Sequence, residues 1–452
     1  MIVVKFGGTS VGDAAAICRA SEIVRSRARR QPIVVVSALA GTTSALVALA
    51  EQAAQGQLIG ALRGVETLRE RHLAVAEELL RGSADAGDVM GELSATFDEL
   101  ASLAEALSVL GDLTPRSLDA ITAKGEQLSS TLVVAAFRAQ GMPADLVEAP
   151  TVMITGDQHG KAEPRPERIA ETSQRVFRPL VAAGRVPVVG GFVGATEQGI
   201  VTTLGRGGSD FSASLFGAAL GVELIEIWTD VDGMLTADPR VVPEARVIER
   251  IRFDEASELA SFGAKVLHPS TIAPAVRLGI PVRILNSRVP DGAGTLITFD
   301  APQRAVTAIA GKEGVTVIKV RSPRMLLAHG FLRSIFEVFD RHRTSVDVVA
   351  TSEISVSLTV DDARHLDSLV VDLSHLGDVS VERNRGIVAL VGAGLATSGQ
   401  AMARALGALG DTRVHMLSLS ASAINLTMLV DAERVAPSMR ALHSVFFGAG
   451  RS

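Results

Sequence analysis

The chain has very little cysteine, no long apolar run and no excess of positive charge. The single cysteine, Cys18, excludes an internal disulfide and a cysteine-based zinc site, and it favours a reducing compartment. No stretch of about 20 residues is apolar throughout, so we expect no transmembrane helix. Lys5 interrupts the first apolar run, which argues against a signal peptide. These absences predict a cytoplasmic protein without a membrane partner.

The charge balance also argues against a nucleic-acid partner. The chain carries 44 basic and 50 acidic residues and has a net charge of −6, whereas a nucleic-acid binder needs a basic surface. Its 452 residues, 47% of them hydrophobic, are typical of a packed chain with more than one domain.

Short β-branched runs alternate with long amphipathic stretches over the first 300 residues. Strands are predicted at Ile2–Phe6, Ile33–Val36, Val186–Val189 and Leu224–Trp228. Apolar strands separated by helices indicate a mainly parallel sheet covered on both faces. This part is therefore predicted to be one α/β unit with a doubly wound sheet.

One helix in this unit has clear boundary signals. Thr114 can cap its start, Pro115 suits its first turn, and Gly141 ends it after the apolar stretch that begins at Leu128. We expect a single helix between these residues.

The pattern changes near Asp300 and then repeats. Ile354–Val360 alternates apolar and polar residues, and Ile424–Val430 nearly reproduces it 70 residues later. The helix predicted near Phe331 has a counterpart near Ala401. We interpret the tail as two copies of an α+β unit, each strand-helix-strand-strand-helix-strand. An accidental similarity of two strand-helix-strand pieces is the alternative.

Two glycine clusters follow predicted strands and precede helices. In Lys5–Ser10 a lysine precedes two glycines, which could bring backbone N–H groups and a cation to an anion. A tight turn with a solvated lysine is the alternative for this segment alone. Thr202–Asp210 adds Arg, Ser and Asp among three glycines, more than a simple turn requires. Together the clusters predict a nucleotide site with phosphoryl chemistry beyond the strand ends.

Five segments in order, Lys5–Ser10, Gly125–Glu126, Leu204–Asp210, Trp228–Asp230 and Phe262–Pro269, resemble those of aspartate kinases. The resemblance covers nearly the whole chain. It implies an amino-acid kinase fold followed by two ferredoxin-like ACT domains. The implied reaction is transfer of the ATP γ-phosphate to L-aspartate, which gives 4-phospho-L-aspartate, the entry to lysine, threonine and methionine synthesis.

The resemblance also implies domain boundaries. The catalytic domain is expected at 1–300, with an aspartate-binding lobe to about 195 and a nucleotide lobe at about 196–300. The ACT domains are expected at 313–380 and 385–452.

The resemblance assigns the catalytic roles to three charged residues. Lys5 resembles the cation that bridges the transferring oxygens, Asp210 the acid that holds this lysine, and Lys265 a second cation near the phosphates. The implied ATP contacts are Lys5, Gly7, Gly8, Thr229, Asp230, Leu235, Arg240 and Lys265. Mg²⁺ is expected to be held mainly by the phosphates, without a set of protein ligands.

Aspartate is a zwitterion with an additional carboxylate, so its site must offer an acid and a cation. Glu126 matches the partner of the α-ammonium and Arg206 the clamp on a carboxylate. Ser37, Thr43 and Ser209 match hydroxyl contacts to the substrate. Outside the family context, Glu126 would be interpreted as an exposed acid on a helix.

The first ACT copy resembles the lysine-sensitive type, which implies L-lysine as the allosteric inhibitor and a homodimer or dimer of dimers through ACT domains. The implied effector residues are Met325, Gly330, Phe331, Leu332, Ser345, Val346, Asp347, Ser352 and Glu353. Leu327 and Ala328 depart from the polar residues usual in that type. Leu235 stands where an aromatic residue often borders the nucleotide, and the chain has no tyrosine.

Two other functions fit parts of this pattern. A kinase of the same fold could act on glutamate, N-acetylglutamate or a nucleoside monophosphate, but the ACT pair and Glu126 with Arg206 argue against it. A non-catalytic amino-acid sensor is the other alternative, which the presence of Lys5, Asp210 and Lys265 disfavours.

Overall fold

The structure, a computed structural model, describes residues 1–262, 269–326, 329–361, 363–395 and 398–448. The chain forms two compact units. The first contains Met1–Met234 and Val266–Asp300, and the second contains Leu235–Lys265 and Ala301–Ser452. None of the helices in the described ranges is both long and apolar enough to cross a membrane.

The strands follow in chain order. They are β1 (Ile2–Phe6), β2 (Pro32–Val36), β3 (Ala144–Val147), β4 (Val186–Gly190), β5 (Val193–Ala195), β6 (Val201–Thr203), β7 (Leu224–Thr229), β8 (Arg250–Ile251), β9 (Val282–Asn286), β10 (Thr295–Ile297), β11 (Ala308–Arg321), β12 (Val349–Thr351), β13 (Ser355–Val360), β14 (Asp378–Val391), β15 (Met416–Leu419) and β16 (Asn425–Asp431).

The α-helices are α1 (Ala14–Ser26), α2 (Thr42–Ala54), α3 (Leu58–Leu79), α4 (Ala86–Leu110), α5 (Pro115–Thr122), α6 (Lys124–Ala139), α7 (Ala149–Val152), α8 (Pro166–Ala182), α9 (Gly208–Leu220), α10 (Phe253–Ser261), α11 (Ala273–Arg277), α12 (Phe331–Arg341), α13 (Leu366–Ser374), α14 (Gly399–Ala408) and α15 (Val435–Phe447).

The sheet of the first unit has the order β3-β4-β2-β1-β7-β9-β10. Its pairs are parallel except β9–β10, which is antiparallel. β1 is central and fully buried, and its residues alternate between the two faces. Ile2, Val4 and Phe6 enter the core formed with α1 to α4 and α6, whereas α9 packs against β1 outside that core. Helices therefore cover both faces, and the predicted α/β architecture is confirmed.

The second unit contains a six-stranded sheet of order β12-β13-β11-β14-β16-β15. β11 and β14 are long and antiparallel, and each serves both repeats. In the first repeat, Thr316–Arg321 of β11 pairs with β13. In the second, Arg385–Val391 of β14 pairs with β16. The predicted pair of α+β units is present, with its strands shared.

Two expectations about elements need correction. The second repeat does not supply its own last strand: α15 is followed by no strand in the chain as described to residue 448, and Ala308–Lys312 of β11 lies beside β14 instead. The single helix predicted from Thr114 is two helices, α5 and α6. Thr114 does cap α5 by accepting the Ser117 N–H. The two helices separate because α5 packs against β6, whereas α6 packs against β3 and β4.

Candidate active site

An ion pair joins the end of β1 to the first turn of α9. Lys5 Nζ lies 2.7 Å from Asp210 Oδ1, and the side chains are only 9% and 17% exposed. Lys5 reaches α9 because it alternates with Val4 and Phe6, which point into the opposite core. Asp210 in the first helical turn faces the positive end of the helix dipole. The pair therefore fixes a cation beside a helix N-terminus.

The first glycine segment is held against the next two strands of the sheet. The Gly7 N–H donates to the carbonyl of Trp228 over 2.9 Å, and the Ala40 N–H donates to the carbonyl of Gly8 over 3.1 Å. A Cβ at Gly8 would lie 2.8 Å from the carbonyl oxygen of Ala38. This close approach of backbones requires glycine at position 8.

The second glycine segment turns sharply into α9. Gly205 and Gly207 have φ of 76° and 74°, in the left-handed region that glycine adopts without strain. The helix begins at Gly208, so that Ser209 and Asp210 lie in its first turn. Backbone N–H groups at this helix start can receive an anion.

Glu126 is a buried acid in the first turn of α6. Its residue is 3% exposed, and Oε1 accepts the Ala38 N–H over 3.2 Å. Among the described residues, the buried Oε2 has no hydrogen-bond partner. Burial raises the pKa of Glu126 to about 8, although the Ala38 N–H and the nearby Lys5 charge lower it. A buried carboxyl with a free oxygen is suited to an incoming ammonium group.

These groups border one cleft of about 580 Å³, which lies entirely within the first unit. The residues expected at the site that line it are Lys5, Gly8, Ser37, Thr43, Glu126, Arg206, Ser209 and Asp210. Cations, hydroxyls, an acid and a helix start therefore converge on one space, although they come from segments more than 200 residues apart.

Other expected ATP contacts are located differently. Gly7 and Thr229 lie at neighbouring strand ends, and Thr229 Oγ1 donates to Asp230 over 3.3 Å. In the second unit, Leu235 forms a bridge with Val247. Arg240 is 84% exposed and its Nη2 lies 2.6 Å from Asp238, whose pKa is lowered by hydrogen bonding to this arginine. Lys265 falls outside the described residues.

The sequence reasoning missed Asp119, which lies in the cleft wall at 1% exposure. Its carboxylate accepts hydrogen bonds from His159 Nδ1 at 2.7 Å, the Gly160 N–H at 3.1 Å and Thr203 Oγ1 at 2.5 Å. Asp119 therefore ties the loop around Gly160 to the end of β6. No spacing in the sequence indicates this role, because Asp119 lies on α5 whereas Glu126 lies on α6, and the groups that Asp119 binds are distant in the sequence.

Arg71 on α3 was also missed. Its guanidinium donates to the carbonyl of Ala40 over 2.7 Å and to that of Gly12 over 3.0 Å. It thereby links the segment between β2 and α2, which carries Ser37, to the turn that precedes α1. An arginine on a long amphipathic helix gives no sequence signal for such a role.

The expected effector residues lie in the second unit. Gly330, with φ of 82°, precedes α12, which begins with Phe331 and Leu332, and Met325 ends a short 3₁₀ turn. Ser345, Val346 and Asp347 precede β12, and Ser352 with Glu353 follows it. Leu327 and Ala328 fall outside the described residues.

Comparison with known proteins agrees with this architecture. A model of the amino acid kinase family matches residues 1–286, and an ACT domain model matches residues 388–446. Lysine-sensitive aspartokinase 3 of Escherichia coli is 37% identical over 99% of both chains. Aspartokinase 3, chloroplastic, of Arabidopsis thaliana is 35% identical over 98% of this chain and 81% of the plant protein.

Solved structures give the same result. The crystal structure of E. coli aspartokinase III in complex with aspartate and ADP (R-state) has a TM-score of 0.85 and 37% identity, and covers 99% of this chain and 100% of that one. The complex of the same enzyme with lysine and aspartate (T-state) has a TM-score of 0.83, with 99% of each chain covered. This chain therefore belongs to the amino acid kinase family and, within it, to the aspartokinases.

Proposed function

We propose that the protein transfers the γ-phosphate of ATP to the β-carboxylate of L-aspartate and is inhibited by L-lysine. One observation carries the catalytic proposal: the buried, half-unpartnered carboxyl of Glu126 shares a cleft with the Lys5–Asp210 ion pair. An acid for an ammonium group and a cation for phosphoryl oxygens are what a kinase of an amino acid needs. The E. coli relative whose structure contains aspartate and ADP supports this choice of substrates.

The phosphoryl transfer itself needs no general base. The acceptor carboxylate of aspartate is already ionised at neutral pH, so catalysis consists of positioning and charge stabilisation. Lys5 is suited to stabilise the transferring oxygens, and Asp210 holds its ammonium in place. Ser209 and the N–H groups at the start of α9 face the same cleft.

Aspartate would be bound through its charged groups. Glu126 Oε2 would accept the α-ammonium, Arg206 would bind the α-carboxylate as a fork, and Ser37 and Thr43 would donate hydroxyl hydrogen bonds. Arg206 is exposed at the rim of the cleft, where its long side chain can swing onto an entering carboxylate.

The remaining ATP contacts stay proposals drawn from the family resemblance. They are Gly7, Gly8, Thr229, Asp230, Leu235, Arg240 and Lys265. Among the described residues no three His, Cys, Asp or Glu side chains come together as a metal site. Mg²⁺ bound mainly through phosphate oxygens would neutralise phosphate charge.

A hydroxylamine trap tests the reaction. The protein is incubated with Mg-ATP, hydroxylamine and either L-aspartate or L-glutamate, and the coloured hydroxamate is measured. We expect product with aspartate alone, because the acyl phosphate reacts with hydroxylamine. Product with glutamate would shift the assignment to another acceptor. No product from folded protein that binds lysine would favour the sensor.

The regulatory part of the proposal rests on the likeness to a lysine-sensitive enzyme. We propose a homodimer, or a dimer of dimers, formed through the ACT repeats, in which lysine stabilises the less active form. Size-exclusion chromatography with light scattering, run beside activity curves with and without lysine, tests this. Lysine inhibition without any change in mass or conformation would contradict it.

A further inference from the structure

A loop between α7 and α8, residues 155–164, closes on itself beside the cleft of the first unit. Thr155 forms an antiparallel bridge with Pro164, which brings the two ends of the loop together. The tip of the loop turns at Gly160, whose φ is 79° and which borders the cleft. The 155–164 loop is therefore a short closed element whose tip reaches the proposed aspartate site.

Two residues at the loop tip are bound to Asp119. Nδ1 of His159 lies 2.7 Å from Oδ2 of this carboxylate, and the Gly160 N–H donates to both of its oxygens over 3.1 Å. Asp119 is 1% exposed, whereas the side chain of His159 is 17% exposed. An ionised carboxylate only accepts hydrogen bonds, so that the tip is held by one imidazole donor and one backbone donor.

The same carboxylate also holds the end of β6. Thr203 Oγ1 donates to Asp119 Oδ1 over 2.5 Å, and the carbonyl of Thr203 accepts the N–H of Ala162, which belongs to the loop, over 2.8 Å. The 155–164 loop and β6 are therefore joined twice, once through Asp119 and once directly.

The loop tip also supports the turn that carries Arg206. A Cβ at Gly205 would lie 3.0 Å from the carbonyl oxygen of Gly160, so the two backbones approach each other closely. Gly205 and Gly207 flank Arg206 with positive φ, and glycine has more backbone freedom than any other residue. Contacts that restrain this turn from outside reduce the entropy that is lost when Arg206 binds a carboxylate.

We propose that His159 is a positioning residue for the substrate. Through Asp119 and Gly160 it holds the turn in the conformation in which Arg206 binds the α-carboxylate of aspartate. Affinity for this carboxylate then depends on an imidazole that is not among the residues bordering the cleft. The proposal deepens the function proposed above and rests on it for the identity of the carboxylate.

Isothermal titration of the full chain with L-aspartate tests the role of His159. His159→Ala removes the imidazole. His159→Asn keeps an amide donor near the position of Nδ1, whereas His159→Gln places its amide near the position of Nε2, away from Asp119. His375→Ala, at an exposed histidine of the second unit, is the matched control. Titration with ADP reports on the nucleotide separately.

Two analogues of aspartate distinguish an effect through Arg206 from a general disturbance of the site. Succinate keeps both carboxylates but lacks the ammonium group, whereas β-alanine lacks the α-carboxylate. Their affinities are measured by displacement of aspartate. Arg206→Ala, alone and combined with His159→Ala, completes a double-mutant cycle for aspartate binding.

We expect His159→Ala and His159→Gln each to raise the Kd for aspartate about tenfold or more, because the turn is no longer held. In His159→Asn the Kd should stay within about threefold of that of the unmodified chain, and in His375→Ala within about twofold. Succinate should lose as much affinity for His159→Ala as aspartate does, whereas β-alanine and ADP should lose less than about twofold. On the Arg206→Ala background, His159→Ala should add less than about twofold.

A Kd for aspartate that is unchanged in both His159→Ala and His159→Gln overturns the proposal. An equal loss of affinity for β-alanine, or full multiplication of the two effects in the double variant, also overturns it. If His159→Ala does not fold, the comparison of His159→Gln with His159→Asn decides. Absence of aspartate binding to the unmodified chain overturns the proposal as well. Binding of aspartate without hydroxamate formation would instead contradict the kinase activity, while the same titrations still decide the role of His159.

Discussion

Lys5 Nζ and Asp210 Oδ1 lie 2.7 Å apart, so that a single ion pair joins the end of strand β1 to the first turn of helix α9. The two residues are 205 positions apart in the sequence. The ammonium of Lys5 is thereby held beside the N-terminus of α9.

Substitutions of Lys5 and of Asp210 should lower kcat to different extents. We expect Lys5→Met to lower kcat by about 10³-fold, because it removes the charge itself, and Asp210→Asn by roughly 10-fold to 100-fold, because it only loosens the lysine. Lys319→Met, which breaks the pair with Glu382 in the second unit, is the control and should retain full activity. Steady-state hydroxamate assays measure kcat for all three variants. Equal losses of kcat in Lys5→Met and Asp210→Asn would contradict these roles.

The pH dependence of aspartate use should report on Glu126. Its pKa is raised to about 8 by burial, so below this pH the free enzyme carries a neutral carboxyl that attracts an ammonium poorly. We expect kcat/KM for aspartate to rise with pH up to about 8 and then level off. Glu126→Gln should lower kcat/KM and abolish the rise. A flat profile between pH 6 and 9 for the unmodified protein would disprove this role.

Ionisation of the Glu126 carboxyl should favour the use of aspartate but lower the stability of the folded protein. The folded-state pKa of Glu126 lies above its ordinary value of 4.5, so its stabilising contribution is complete below pH 4.5 and is lost as pH rises towards about 8. We expect Glu126→Gln to gain Tm relative to the unmodified protein between these two pH values. Scanning calorimetry from pH 4.5 to 8.5 tests this, and parallel Tm curves would refute it.

Acid sensitivity should depend on His72. This buried side chain contacts the Leu68 carbonyl and packs edge-on against Phe97, and burial lowers its pKa to about 4. Because the unfolded state takes up a proton near pH 6.5, stability should fall as pH drops from 6.5 towards 4. In His72→Phe we expect a shallower fall. Urea midpoints measured between pH 4.5 and 7.5 give the slope of stability against pH for each protein. Identical slopes for the unmodified protein and His72→Phe would contradict this role of His72.

Asp119 should act as a positioning residue. Asp119→Asn exchanges one acceptor oxygen for a donor and so weakens the contacts to His159, Gly160 and Thr203. We expect a loss of about 10-fold to 100-fold in kcat/KM for aspartate, with kcat less affected. Asp145→Asn, which breaks a distant pair with Arg185, should leave both parameters unchanged. Equal effects of the two substitutions would indicate a general loss of stability.

The sequence alone predicted those features that depend on local chemistry. The bounds of β1 agree because its buried run is interrupted sharply by Gly7 and Gly8, and Thr114 caps α5 because its hydroxyl acts within one turn. The family resemblance added the cleft residues, whose convergence no spacing reveals. The roles of Asp119 and Arg71 could not be predicted, because the groups that they bind are distant in the sequence and include backbone atoms. The sharing of β11 between the two repeats could not be predicted, because hydrophobic alternation indicates a strand but not which strands pair with it.

The shared strands make the two repeats inseparable. Ala308 pairs with Val391 and Arg321 with Asp378, so one ribbon of two strands runs through both halves of the sheet. The arrangement is an exchange of strands within a single polypeptide, comparable to what domain swapping achieves between two. A chain cut near Asn384, where φ is 56°, would leave each half with an unpaired edge. Loss of one repeat during evolution would therefore expose the other to aggregation, and the regulatory unit is expected to be inherited and to unfold as a whole.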